Sequence, residues 1–204
     1  MTFASVHDML TPPSVVMKTH RWDWFSGSQL KSAWDVHQEN GTNTVAMSDT
    51  VNGGVELTTG TTSGNRLNIN FNSLRHYSET GSVFICTMQR PNDLSQQWCG
   101  LTNTRAYGSN YFYHLNNSLL STYRFATRDG STTNTINYGT NDTSFHVYTG
   151  AVDSNSAKGW LDGALVALST ANLPAAVLHP SLRVRTETGA ARTGLFRYFE
   201  AYNT

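Results

Sequence analysis

The densest grouping of ring-bearing, amide and charged side chains in this 204-residue chain runs from Arg105 through Tyr107-Gly108-Ser109-Asn110-Tyr111 to Tyr113, with Arg124 and Arg128 on the run that follows. Aromatic faces stack on the C–H surfaces of sugars, and amide or guanidinium groups fork onto hydroxyls. Arg105, Tyr107, Asn110, Tyr111, Arg124 and Arg128 therefore form a candidate glycan-binding set. Tyr111 and Tyr113 read equally as ordinary strand aromatics packing one face, with Tyr107 capping a loop.

Other chemistries find less support. Retaining glycoside hydrolysis needs two carboxyl groups about 5 Å apart. Asp35 is followed by Val36 and His37, Glu56 by Leu57, Thr58 and Thr59, and Glu200 stands alone; only a pair assembled from distant strands stays open. A Gly-x-Ser-x-Gly elbow is missing. His7, His20, His37, His76, His114, His146 and His179 show neither His-x-His nor His-Glu-x-x-His spacing, so zinc has no local support. No catalytic residue and no metal ligand is expected, and His146 reads as a structural histidine bonded to a neighbour.

The elements that must position these residues are strands. No window of a dozen residues sustains an i, i+3, i+4, i+7 apolar pattern; short alternating runs separated by Gly, Asn, Asp and Ser recur instead. Leu67, Ile69 and Phe71 alternate with Asn68 and Asn70, which predicts a strand with one dry and one wet face. Ser82 to Gln89 and Gln97 to Asn103 flank Arg90-Pro91-Asn92-Asp93 and read as a hairpin, placing Cys86 and Cys99 on neighbouring strands. Whether those thiols face each other depends on register, and buried free thiols are the simpler reading. Asp129-Gly130 supplies a tight turn, and Leu173 to Leu178 is the one place for a helical turn. About a dozen strands result, enough to close into a sandwich or barrel. Residues 1–32 hold Pro12-Pro13 without alternation and read as an extended N-terminal arm; residues 33–204 form the domain.

Composition bounds the classes. Charged residues make up 14% of the chain, against roughly 25% in an average soluble domain. Ser, Thr and Asn make up about a third, so the exterior is rich in hydroxyl and amide groups. A formal net charge of +0 provides no global field to steer nucleic acid or anionic lipid. No stretch approaches the roughly 18 apolar residues of a membrane span. Met1 to Leu10 carries Ser5, His7 and Asp8 where an export signal would be basic and then apolar, so none is expected.

One continuous pattern carries a likeness: Phe145-His146-Val147-Tyr148, a polar turn through Asp153-Ser154-Asn155-Ser156, then Gly159-Trp160-Leu161-Asp162-Gly163 and Ala164-Leu165-Val166. It resembles the concanavalin A-like lectin/glucanase superfamily, which includes laminin G-like modules. Gly53-Gly54-Val55-Glu56-Leu57 looks like that family's early strand and Gly194 to Asn203 like its last, which pairs back near the first. The resemblance implies an all-β fold, an antiparallel β-sandwich of the concanavalin A-like jelly-roll type. Hydrolytic members carry Glu-x-Asp-x-x-Glu on one strand, which this chain lacks, so the expectation is a non-enzyme. Calcium is the cofactor the resemblance implies, with Asp153-x-Asn155 and Asn141-Asp142 as oxygen donors; turn formation explains both pairs without an ion.

By that resemblance, with neutral charge and a preceding arm, the expected role is a virion structural or decoration protein of a tailed bacteriophage, attached to the capsid or tail through the arm of residues 1–32. Its partners would be capsid or tail proteins and its own copies on a lattice, with loops that touch host glycans. A free carbohydrate-binding module is the alternative, and a glycoside hydrolase or polysaccharide lyase the third; the third requires converging carboxylates or a Tyr/His/Arg cluster in a groove.

Overall fold

The computed structural model describes residues 20–48, 53–71, 77–91, 95–104, 109–117 and 121–204. Among them fifteen strands follow one another without a helix. They are β1 (His20–Asp23), β2 (Trp34–Glu39), β3 (Thr44–Met47), β4 (Val55–Thr58), β5 (Arg66–Phe71), β6 (Gly81–Gln89), β7 (Ser95–Thr102) and β8 (Asn110–Asn117). There follow β9 (Thr122–Asp129), β10 (Thr133–Tyr138), β11 (Phe145–Asp153), β12 (Ala157–Leu161), β13 (Ala164–Ser169), β14 (His179–Thr186) and β15 (Thr193–Asn203).

Two sheets result, antiparallel at every pairing. The eight-stranded sheet runs β13-β12-β11-β6-β15-β4-β3, and β1 joins it on β15. On β15, β4 pairs with residues 193–196 and β1 with residues 199–202. The seven-stranded sheet runs β10-β9-β8-β7-β14-β5-β2. Together they form a jelly-roll sandwich whose last strand returns to the first, as the likeness implied.

Period-two alternation decides which side chains meet between the sheets. Phe84, Cys86 and Met88 of β6 and Phe196, Phe199 and Ala201 of β15 point inward from one sheet. Leu67, Ile69, Cys99, Leu101, Phe112, Phe125, Leu182 and Val184 answer from the other. Phe84 stacks on Phe199 at 6.2 Å within its sheet and meets Phe112 at 5.4 Å across the gap. Burial of each such ring contributes about 1.5–3 kcal/mol. The Asp162-Gly163 turn joins β12 to β13 with both residues at positive φ (50° and 83°), the geometry of a tight two-residue hairpin.

Several sequence expectations change. Residues 82–89 and 97–103 do not make a hairpin: β6 pairs with β11 and β15, β7 with β14 and β8, so the connection crosses between sheets. Cys86 and Cys99 therefore face each other through the core as free, buried thiols rather than on adjacent strands. Burial pushes the Cys86 thiol well above its ordinary range, and its contact with Cys99 adds to this. The expected wet face of β5 is not exposed: between β14 and β2, Asn68 and Asn70 are 0% and 1% exposed. Residues 173–178 form no helical turn; they run as irregular chain into an isolated bridge between Leu178 and Tyr77.

The boundary drawn at residue 32 also moves. Within the second half of that stretch, β1 pairs with β15 and Phe25 is 2% exposed in the core. Asp23, 2% exposed, accepts from Phe25 N at 2.8 Å, Lys31 Nζ at 2.8 Å and Trp34 Nε1 at 3.0 Å. Residues 20–32 thus belong to the sandwich, and residues 1–19 lie outside the described part.

Candidate functional site

The outer face of the seven-stranded sheet holds the strongest side-chain convergence. Since Leu182 and Val184 point inward, Arg183 and Arg185 of β14 point outward, and the same alternation turns out Arg66 on β5, Trp98 and Gly100 on β7, Tyr111 and Tyr113 on β8, and Arg124 and Arg128 on β9. Register then sets neighbours: Arg185 lies opposite Arg66, Arg183 opposite Trp98, Gly100 opposite Tyr113, and Tyr111 opposite Arg128.

Trp98, Tyr111 and Tyr113 pack with Leu115 and Ala126 into a second apolar cluster, separate from the main core. Tyr111 and Tyr113 lie with ring centroids 4.7 Å apart, and Trp98 meets Tyr113 edge-on at 6.5 Å. These rings are only 6–9% exposed, which matches the reading of Tyr111 and Tyr113 as packed strand aromatics. They also form the floor of a pocket of about 200 Å³ whose other lining residues are Arg66, Arg128, Arg183 and Arg185. The Arg183 guanidinium lies 5.0 Å from the Trp98 ring centroid, a cation–π contact that holds it over the floor. Arg66 binds Glu39 at 2.9 Å, Arg185 Nε meets Glu187 at 3.1 Å, and Tyr111 OH pairs with Thr133 Oγ1 at 3.0 Å. Burial, then the neighbouring Tyr111, pushes the Tyr113 phenol above its ordinary range, so it stays a neutral O–H group.

Of the six residues expected to bind a glycan, Tyr111 and Arg128 line this pocket. Arg124 lies on the same face, opposite Leu115 and outside the lining. Asn110 turns away: its Oδ1 accepts from Ala175 N at 2.9 Å and braces the stretch before β14. Arg105 and Tyr107 lie outside the described residues. Sequence reasoning missed Arg66, Trp98, Arg183 and Arg185. Alternating Ser181, Arg183 and Arg185 was a visible signal, but nothing local tells that β14 lies between β5 and β7.

Among the described residues no Asp or Glu occupies an outward position of β5, β14, β7, β8 or β9; Asp35 and Glu39 stand on the edge strand β2. A second titratable group lies at the other sheet. His146 Nδ1 pairs with Asp162 at 2.6 Å and Nε2 with Asp142 at 2.9 Å, so the ring lies between two carboxylates that favour its protonated form. Burial would lower the His146 pKa, but the two carboxylates outweigh it and raise it. The calcium candidates are engaged by their own turns: Asp153 Oδ1 accepts from Asn155 N and Ser156 N, and Asp142 Oδ1 from Ser144 N. Among the described residues no group of three His, Cys, Asp or Glu is placed to hold a metal ion, and no helix is long and apolar enough to cross a membrane.

No protein-family model matches the chain, and no curated protein matches it in sequence. Solved structures do. A protein of unknown function from Shewanella oneidensis MR-1 is 12% identical with a TM-score of 0.71, covering 100% of this chain and 95% of its own. A β-glucanase from Bacillus licheniformis is 12% identical (TM-score 0.65, 91% and 98% covered), and a β-1,3-glucanase from Mycobacterium marinum 14% identical (TM-score 0.67, 92% and 99%). The expectation of a non-enzyme is overturned by these neighbours, which include several glucanases and a transglycosylase. A missing carboxylate run on one strand was too narrow a ground, because this fold brings residues from distant strands onto one face. The chain has the concanavalin A-like jelly-roll fold, the fold of these β-glucanases.

Proposed function

We propose that the chain is a carbohydrate-directed protein whose polysaccharide ligand lies across the outer face of the seven-stranded sheet, at the pocket floored by Trp98, Tyr111 and Tyr113. The observation that carries this reading is the convergence of three aromatic residues and four arginines from five strands at one cavity. Rigid strands hold the floor, and guanidinium and phenol groups supply the few directional contacts that a sugar site needs. The cavity, about 200 Å³, is smaller than a drug-sized site, so it takes one sugar unit or substituent while the rest of the polymer runs over the sheet. Electrophoresis through gels that each contain one polysaccharide tests the reading, with reducing-end release measured in parallel. Retardation by one class, weakened at least about 10-fold in Tyr111→Ala, is expected; passage through every gel without retardation overturns it.

A second reading, attachment to a virion or to other copies of the chain, draws on the opposite face. There Trp22, Leu165 and Leu168 of the eight-stranded sheet and Trp24, just past β1 and packed on Tyr198, are each more than half exposed, and zero net charge leaves no long-range repulsion between copies. Sedimentation at increasing concentration tests it: self-association lost in Trp22→Ser/Leu165→Ser supports it, and a monomer throughout overturns the contact between copies.

A further inference from the structure

We infer that the polysaccharide taken by this site is acidic, its carboxylate or sulfate groups lodging among Arg66, Arg128, Arg183 and Arg185; this rests on the carbohydrate reading above. The chain has eleven arginines and three lysines, and four of the eleven line one cavity. Arg185 and Arg66 lie directly opposite on adjacent strands, an arrangement of like charges that costs stability. Glu39 and Glu187 offset it from the rim, while no acidic residue lines the cavity among the described residues. Four cations thus converge above an apolar floor with no acidic residue in the described lining, an excess of positive charge at the cavity itself. A neutral glucan has no group that would use that excess.

The residue type points the same way. The planar guanidinium matches the paired oxygens of a carboxylate or sulfate, where an ammonium acts only as a point charge. Its cation–π seat on Trp98 holds Arg183 in place before any ligand arrives, so less ordering entropy is lost on binding. The aromatic floor lowers the local dielectric and strengthens each ionic hydrogen bond. Tyr113, kept protonated by burial, adds a neutral phenol that needs no charge compensation. An aromatic and arginine surface also suits single-stranded nucleic acid, but the chain lacks the overall positive charge that tracks a phosphate backbone.

Isothermal titration of the full chain against polygalacturonate, dextran sulfate, a neutral mixed-linkage glucan and an oligothymidylate tests the inference. Binding to one or both acidic polymers is expected, weakening at least about 10-fold between 50 and 500 mM salt. Preference for polygalacturonate assigns the site to carboxylates, and preference for dextran sulfate to sulfates. Arg128→Gln should reduce acidic binding about 10-fold without changing the melting temperature, and Arg185→Gln gives an independent check if either variant folds poorly. Binding to the neutral glucan alone, undiminished in Arg128→Gln, overturns the inference but keeps the carbohydrate reading. Absence of binding to every glycan overturns both, and tighter binding to the oligothymidylate overturns the acidic-glycan assignment.

Discussion

His114 and His146 respond to acid in opposite directions, because one is buried among neutral partners and the other is held between carboxylates. His114 Nε2 donates to the Thr149 carbonyl at 2.8 Å, so its Nδ1 accepts from the Tyr138 hydroxyl, and burial lowers its pKa to about 4. The unfolded chain takes up this proton near pH 6.5 and the folded chain only near pH 4. Stability is therefore complete above pH 6.5 and falls through that window by on the order of 3 kcal/mol. Urea midpoints measured from pH 7 to pH 4 should show this decline, with a shallower slope in His114→Gln. His146 has a raised pKa, so its contribution is full below the ordinary histidine value and is lost as pH rises through its folded value. Asp162→Asn should flatten that alkaline-side loss; an unchanged pH profile would show that the clamp contributes nothing.

At the scale of the element, one glycine decides how closely β7 and β8 approach beneath the pocket. A Cβ on Gly100 would clash with the Phe112 carbonyl oxygen and lie 2.6 Å from Tyr113 Cβ and 2.7 Å from its Cα, so the backbone of β8 and the root of the Tyr113 side chain occupy the space the missing methyl leaves. Gly100→Ala should cost about 1–3 kcal/mol in urea denaturation and displace the pocket floor, weakening polysaccharide retention. A variant of native stability with unchanged retention would show that the strand pair absorbs the methyl elsewhere. Gly159 plays the matching role across the core, where an added Cβ would meet the His114 and Phe125 rings at 2.8 Å. The β9-β10 hairpin was legible in sequence because Asp129-Gly130 and the alternation of apolar and polar residues are local signals. The β6-to-β7 crossover was not, since a polar turn of the same composition serves a hairpin or a change of sheet.

At the scale of the whole molecule, the short strand β1 locks the two sheets at one edge. A chain beginning at His20 retains the contacts of β1, Asp23 and Phe25, whereas one beginning at Ala33 leaves Trp34 Nε1 without its carboxylate and empties the Phe25 site in the core. A chain beginning at Ala33 should be less stable than one beginning at His20 by about 4 kcal/mol or more, as read by thermal melts of both. Equal melting temperatures would mean that β1 is an ornament on β15.

The all-β class was written in the sequence itself: strict alternation in residues 66–71, the Asp162-Gly163 hairpin and the absence of a helical period left a sandwich or a barrel, and the family likeness carried by residues 145–166 implied the sandwich. Of the seven residues that line the pocket, only Tyr111 and Arg128 belong to the candidate set read from the sequence. Tertiary structure alone decided that Arg66, separated from Arg185 by more than a hundred residues, stands opposite it, and that β14 carries Arg183 over Trp98. The physical reason is that alternation tells which way a side chain points from its own strand, whereas the order of strands in a sheet is set by how the whole apolar surface is covered. That global packing brought distant arginines into one cavity, turned Asn110 inward to brace a loop and put Cys86 and Cys99 on opposite layers of the core.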